Sequence, residues 1–411
     1  MARALRSSAD RPAWRRARFV ADGAVLLFAG WMVRRLLEPP QPPQGAAKPA
    51  GVHAHDVLDT SPEAFERREP GRGRAARTPC EIPAKGWTDI WFRVVLAYFG
   101  DRVGFIAGGV TFFTLLALFP GLTVFVSLYG LFNAPETAVG HVELLRGVVP
   151  AGVLDFLSGE VVRIASAPPT ELGVTLAISL GFSLWSANAA VKWLVYGLNV
   201  AYHETEKRNF FHYNLLTMAF TAGALVFVLI TTSLVVVTPV IASFFGLRTD
   251  IGLAADLRWP LLFAAYVGAM ALLYRHGPCR ARARWRWLTL GGAFAAVLNL
   301  AGSAVFSWWL SSFADYARVY GSLGAAMGFM MWTWLSITAM IMGAELNAEM
   351  EHQTAWDTTT GRPKPMGERG ALVADTVGPR KGAPGAVRYT LQYAEELSRR
   401  LMLKLGKRPE S

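Results

Sequence analysis

The sequence predicts an all-α, polytopic membrane protein with six transmembrane helices and both the N- and C-termini in the cytoplasm. Three observations carry that expectation. Hydrophobic residues make up 53% of the 411 positions and charged residues only 17%, against roughly 25% charged in a soluble chain. Uncharged windows recur at 103–135, 172–191, 210–247, 259–274, 287–314 and 319–344. The segments between them alternate between rich and poor in Arg and Lys, as loops on opposite sides of a membrane do.

The chain opens with a polar extension, 1–86. Within it, 19–37 is largely apolar but contains Asp22 and is flanked by Arg15, Arg16 and Arg18 before and Arg34 and Arg35 after. Bases at both ends suit an interfacial helix better than a crossing one, although a seventh span is the alternative. Arg15-Arg16 also resembles a twin-arginine signal, but no small-residue cleavage site follows. The Pro-, Gly- and charge-rich stretch 39–77 reads as linker. Residues 86–101, GWTDIWFRVVLAYFGD, read as an amphipathic helix lying on the leaflet.

The membrane domain is expected over 87–351. A crossing needs about 20 apolar residues, which most of the windows exceed. The third is long and reads as one span, 215–237, ended at Thr238-Pro239. The fourth is the shortest, and reaches sufficient length if Arg258 snorkels. Lys207 and Arg208 lie between spans two and three, and Arg275, Arg280, Arg282, Arg284 and Arg286 between spans four and five. These two loops are therefore expected inside. Residues 133–171 carry a partly amphipathic pattern, with Val153, Phe156, Leu157, Val161 and Ile164, that predicts external helices. From 352 to 411 the chain reads as a largely flexible cytoplasmic tail, with a short helix over 387–405.

Polar groups inside apolar windows are the candidate functional residues. Asn188, Lys192 and Asn199 share one face of the second span. Lys192 lies roughly 15 Å of helix rise from the inner end, and lines a cavity, pairs with another helix, or snorkels. Glu345 and Asn347 close the sixth span, with Glu349 one turn on; they either anchor the boundary or meet a basic loop or an ionisable substrate. Pro120, followed by Gly121, should bend or interrupt the first span and so marks the best candidate for a lumen. Asn299, Thr111 and Thr114 read as interhelical hydrogen-bonding residues. Gly104, Gly108 and Gly109, with Gly321, Gly324 and Gly328, read as close-packing positions.

Several function classes recede. The net charge of +11 sits beside apolar runs, which points to anionic lipid headgroups rather than nucleic acid. Two cysteines, Cys80 and Cys279, make no disulfide framework or metal cluster by themselves. No phosphate-cradling Gly-Lys-Ser/Thr loop indicates ATP use. The seven histidines are scattered rather than clustered, so neither a metal site nor a cofactor is expected, and an enzyme is not.

Three segments carry a resemblance to a known family: AGGVTFFTLLALFP at 107–120, NAAVKWLVYGLNVAYHETEKR at 188–208 and YGSLGAAMGFMMWTWLSITAMIMGAELNA at 320–348. Together they resemble the YihY/BrkB family of bacterial inner-membrane proteins over roughly 87–351. The resemblance implies six membrane helices and a place in the cell inner membrane. Members have carried labels of ribonuclease BN and of a serum-resistance factor, and the first has no support in these residues. Transport or handling of lipid or anionic substrates for the envelope is the implied function; the alternative is a scaffold or assembly protein. Expected partners are membrane lipids, envelope proteins or further copies of the chain.

Overall fold

The computed structural model describes residues 59–130, 151–165, 172–244, 253–312 and 322–383. The expected helices over 19–37 and 387–405 lie outside them. Among the described residues the regular structure is helical, without strands: α1 Pro62–Arg68, α2 Ala84–Gly100, α3 Val103–Gly130, α4 Ala151–Ala165, α5 Leu172–Ala201, α6 Phe210–Phe244, α7 Leu253–His276, α8 Trp285–Ser312, α9 Ser322–Glu351 and α10 Leu372–Asp375.

Four segments among the described residues are long and apolar enough to cross a membrane: Val103–Leu122, Phe210–Thr231, Trp285–Leu310 and Ala326–Glu351. They belong to α3, α6, α8 and α9. Helices α5 and α7, of 30 and 24 residues, stand beside them. The outward residues of α3, α6 and α8 are apolar, including Phe105, Phe112, Leu215, Leu229, Val305 and Trp308. A helix apolar around its whole circumference is suited to lipid, because water would gain nothing from contact with it.

Helix α3 packs along α5, α8 along α9, and α7 between α6 and α8, while α9 also meets α2, α3 and α4. The main core is built where α3, α5, α7 and α9 converge, on Ile106, Leu194, Leu198, Tyr202, Tyr274 and Ile341. Helix α4 buries Val153 and Phe156 against Phe306 of α8 and Phe329 of α9, as its pattern predicts.

Three expectations about helix ends and breaks are corrected. Helix α3 runs unbroken through Pro120. Proline removes one backbone donor, which costs the helix the single bond to the Leu116 carbonyl, and Ser183 of α5 donates to the adjacent Ala117 carbonyl at 3.2 Å. Helix α6 likewise continues past Thr238-Pro239 to Phe244, since unwinding in an apolar setting would leave more backbone groups unpaired than one proline does. Helix α2 does not show the solvent a charged face: Asp89 and Arg93 are on its buried side with Ile90, Val94 and Ala97.

Close packing holds at two of the expected glycines, where a Cβ on Gly104 would lie 3.3 Å from Trp334 and one on Gly109 3.1 Å from Trp193, but tighter approaches fall elsewhere. A Cβ on Gly108 or Gly328 would meet nothing within 4 Å, whereas one on Gly343 would lie 2.5 Å from the Gly291 carbonyl oxygen. Helices α8 and α9 therefore touch backbone to backbone. Thr111 and Thr114 bond within their own helix, to Ala107 and Val110. Asn299 does bridge helices, donating to Tyr266 of α7 at 3.3 Å, while its neighbour Ser303 accepts from Trp332 of α9.

The flanking segments also differ from expectation. Residues 59–77 are not an open linker: Ser61 caps α1 by accepting from Ala64 N–H, with Pro62 in the first turn, and Arg74 is buried. Residues 352–383 are not a loose tail. Residues 352–355, Asp357, Thr358 and Thr359 are buried, Val373 joins the main core, and Arg369 donates to the carbonyls of Ala355, Trp356 and Ala374. Composition reads them as polar, but their polar groups find partners inside the protein.

Candidate functional site

The C-terminal turns of α9 gather the polar residues of the fold into a cap, joined by 59–83, the loops after α5 and α7, and 352–383. Each carboxylate there has its own environment. Glu349 pairs with the Arg93 guanidinium of α2, which also donates to the Glu349 carbonyl at 3.0 Å and to Gln353 Oε1 at 2.8 Å. Glu351 is held by Arg280 through both oxygens, at 3.1 and 2.6 Å, and accepts from Thr358 Oγ1. Arg280 lies over the Tyr202 ring, 4.8 Å from its centroid. Burial depresses the Arg280 pKa, but Glu351 beside it outweighs that and raises it.

The described segments on either side of the long helices are bound into the same network. Arg74 pairs with Glu69 and donates to the carbonyls of Gln353 and Gly378. Asp89 accepts twice from Arg72 and once from the Lys381 N–H at 2.8 Å. Thr360 N–H donates to the Arg282 carbonyl, and Ala283 and Thr359 form a single β-bridge. Thus α9 is tied at its end to segments from both flanks.

Of the sequence-predicted residues, Asn199 and Asn347 prove to be clamps. Asn199 donates to Glu206 at 3.0 Å and accepts from Cys279 N–H at 2.7 Å, fixing the loops after α5 and α7 together. Asn347 accepts from Gly291 N–H at 2.9 Å and donates to the Leu288 carbonyl at 3.2 Å, which seats α9 on α8. Asn188 is buried against Thr221 of α6. Lys192 is half-buried, and among the described residues its ammonium has no hydrogen bond or ion pair; only its carbonyl is engaged, by Tyr213 at 3.3 Å. The structure brings Asn199 and the α9 residues to the capped end, and leaves Asn188, Lys192 and Pro120 elsewhere along the bundle.

Glu345 is the exception within the cap. Its side chain is 1% exposed, and neither carboxylate oxygen has a hydrogen-bond partner among the described residues. Asp101, at the junction of α2 and α3, and Glu349 are its charged neighbours. Burial pushes the Asp101 carboxyl up to about 6; His203 opposes this and Glu349 adds to it.

Beside that junction a groove of about 370 Å³ is lined by Tyr98, Phe99, Arg102, Gly104, Phe105 and Trp334. Arg102 has a positive φ of 53°, which turns the chain sharply from α2 into α3. Trp334 Nε1 donates to the Gly104 carbonyl at 2.8 Å and closes one wall. Phe99 and Phe105 stand out from the surface, 71% and 83% exposed. An apolar trough with an exposed guanidinium at its rim matches an acyl chain joined to an anionic headgroup. Among the described residues, no group of three or more His, Cys, Asp or Glu is arranged to hold a metal ion.

Sequence reading missed Arg93, Asp101, Arg102, Glu351 and Arg280 as members of this region. The available signal was Asp89 and Arg93 interrupting the aromatic and aliphatic run over 86–100, with Asp101 at its close: charges on a helix that packs into others need partners.

Residues 94–368 match a family model described as "Virulence factor BrkB". The match runs past 351, so part of the cap lies within the matched region. Among similar proteins, a "Putative ribonuclease-like protein YfkH" of Bacillus subtilis is 27% identical over 249 residues, covering 58% of this chain and 86% of that protein. A "UPF0761 membrane protein" of Vibrio campbellii is 28% identical over 274 residues, with 62% and 80% covered. One of Vibrio parahaemolyticus is 28% identical over 268 residues, again with 62% and 80% covered. No solved structure matches.

Proposed function

The chain belongs to the BrkB virulence factor family of membrane proteins, and from that premise we propose that it is a six-span protein of the cell inner membrane that binds and handles an anionic envelope lipid. Helices α3, α5, α6, α7, α8 and α9 are the six spans in this reading. The cap, both termini and the arginine-rich loop after α7 are cytoplasmic, in keeping with the bias of basic residues toward that side. The protein moves or presents lipid without chemically altering it, and neither nucleic acid nor a cofactor enters. The ribonuclease-like name of the Bacillus relative is not carried over, because the buried acids Glu349 and Glu351 are committed to arginines.

The observation that carries this reading is the groove at the α2–α3 junction, with Arg102 at its rim and Phe99, Phe105 and Trp334 along it. At the inner boundary of the bilayer such a groove presents charge to a headgroup and aromatic surface to an acyl chain. Lys192, half-buried further along α5 and without an ion pair among the described residues, supplies a second positive position for the same class of ligand.

The test is reconstitution of the full chain into phosphatidylcholine vesicles containing phosphatidylglycerol, following bound anionic lipid by native mass spectrometry and its leaflet exchange by fluorescence quenching. Arg102→Ala is expected to lower retention of phosphatidylglycerol several-fold, and Lys192→Ala to slow exchange. Equal retention in wild type and Arg102→Ala would remove the groove from the mechanism. A second reading, a scaffold or assembly protein, is favoured by the packing roles of Asn199 and Asn347. Wild-type exchange no faster than in protein-free vesicles would support it.

A further inference from the structure

The cap pairs its buried charges with care, except at Glu345. An ionised carboxylate enclosed in protein without a hydrogen bond is strongly disfavoured, and the group is accommodated by taking up a proton or a ligand. Both Glu345 oxygens are in that condition, at 1% exposure.

The titratable and charged groups of the cap come from several elements, and Asp101, Glu349 and Tyr202 among them sense Glu345. Helix α2 brings Asp89 and Arg93, and its junction with α3 brings Asp101. The segment after α5 brings Tyr202, His203 and Glu204, the loop after α7 brings Arg280, and α9 with its continuation brings Glu349, Glu351 and His352. Arg93 is paired with Glu349, Arg280 with Glu351, Asp89 with Arg72, and Glu204 with Lys207. His352 lies 3.6 Å from Glu349 and contacts Thr376. None of these arginines is bonded to Glu345, and its nearest electrostatic influences, Asp101 and Glu349, are acids. Two acids that sense one another's charge resist ionising together.

We propose that Glu345 and Asp101 form a reversible proton-binding site at the end of the α2, α3 and α9 assembly, with partly exposed Asp101 as the buried acid's route to solvent. In the uptake step an O–H bond of a hydronium ion breaks and one forms on a carboxylate oxygen of the pair. One water is released, the charge of the pair rises by one, and no electrons are transferred. Glu349 is excluded from the site by its engagement with Arg93. The ligand is the proton itself, so the site asks for no cavity. A bundle carrying it has a means of responding to the pH on the side that Asp101 faces.

The experiment is infrared difference spectroscopy of the full chain in lipid nanodiscs, following the stretching band of protonated carboxyl groups across a titration from acid to alkaline buffer. Wild type is expected to show a buried-carboxyl band that changes with pH. Glu345→Gln should lose that band, and Asp101→Asn should retain it with a shifted midpoint. A wild-type spectrum with no such band would overturn the proposal, as would a band unchanged in Glu345→Gln. If Glu345→Gln does not fold, Asp101→Asn decides: an unmoved midpoint overturns the coupling of the two acids. The readout is a proton on the protein, so a negative result leaves the lipid-handling reading standing, and lipid exchange without this band separates the two.

Discussion

Replacing Gly291 with alanine should be among the most damaging single-methyl additions in the molecule. A Cβ at that position would collide with the Gly343 carbonyl oxygen and with the Asn347 carboxamide, neither of which is the free end of a flexible chain. Helices α8 and α9 would have to separate. Overpacking of this kind costs about 1–3 kcal/mol. Separation also breaks the Gly291 N–H bond to Asn347 and the Asn347 bond to Leu288, each contributing about 1 kcal/mol net. The sum is roughly 3–5 kcal/mol. Gly302→Ala in the same helix is the control, because a Cβ there meets nothing within 4 Å. That change should be neutral or stabilise by about 0.5–1 kcal/mol through helix propensity. The assay is reversible unfolding in mixed micelles with increasing denaturing detergent. If the two variants unfold within about 0.5 kcal/mol of each other, the backbone contact between α8 and α9 is not a determinant of stability.

Other perturbations follow from the cap. Arg280→Ala leaves Glu351, whose side chain is fully buried, without its cation, and should cost about 3–5 kcal/mol in the same unfolding measurement. Burial pushes the Asp101 carboxyl from its ordinary 3.8 up to about 6, so in that window the native state binds the extra proton. Its contribution to stability is full below the ordinary value and is lost as pH rises through about 6; melting curves across that window should fall for wild type and fall less steeply for Asp101→Asn, in which Glu345 remains. Truncation after Ala355 removes the carbonyls and N–H groups that serve Arg74, Arg93, Asp89 and Glu204, and should lower detergent-solubilised yield and thermal stability. Truncation after Ala383 removes none of those contacts.

The apolar helices were legible because lipid solvation acts on each segment by itself: uncharged windows locate α3, α5, α6, α7, α8 and α9 without knowledge of any neighbour. Their exact ends were less so, as Pro239 shows, since a proline signal calibrated by water is weaker where no water competes for the backbone. The polar residues were found as important but misread in role. Asn199 and Asn347 look the same in a sequence whether they meet a ligand or a backbone group many residues away, and both meet backbone. The cap was illegible for the same reason. Arg74 and Gly378, or Asp89 and Lys381, are brought together only by the fold, so each flank alone reads as solvated. Glu345 was legible as an oddity, an acid at the close of an apolar run; that it alone of the α9 acids goes without an arginine could be learned only from the packing.

The order of synthesis gives the cap a further meaning. Arg93 and Arg280 leave the ribosome before Glu349 and Glu351, so the nascent chain carries two guanidiniums whose carboxylate companions arrive only at the end of α9. Until then the earlier helices cannot settle into their finished arrangement, and an interrupted product displays unneutralised arginines at the membrane surface.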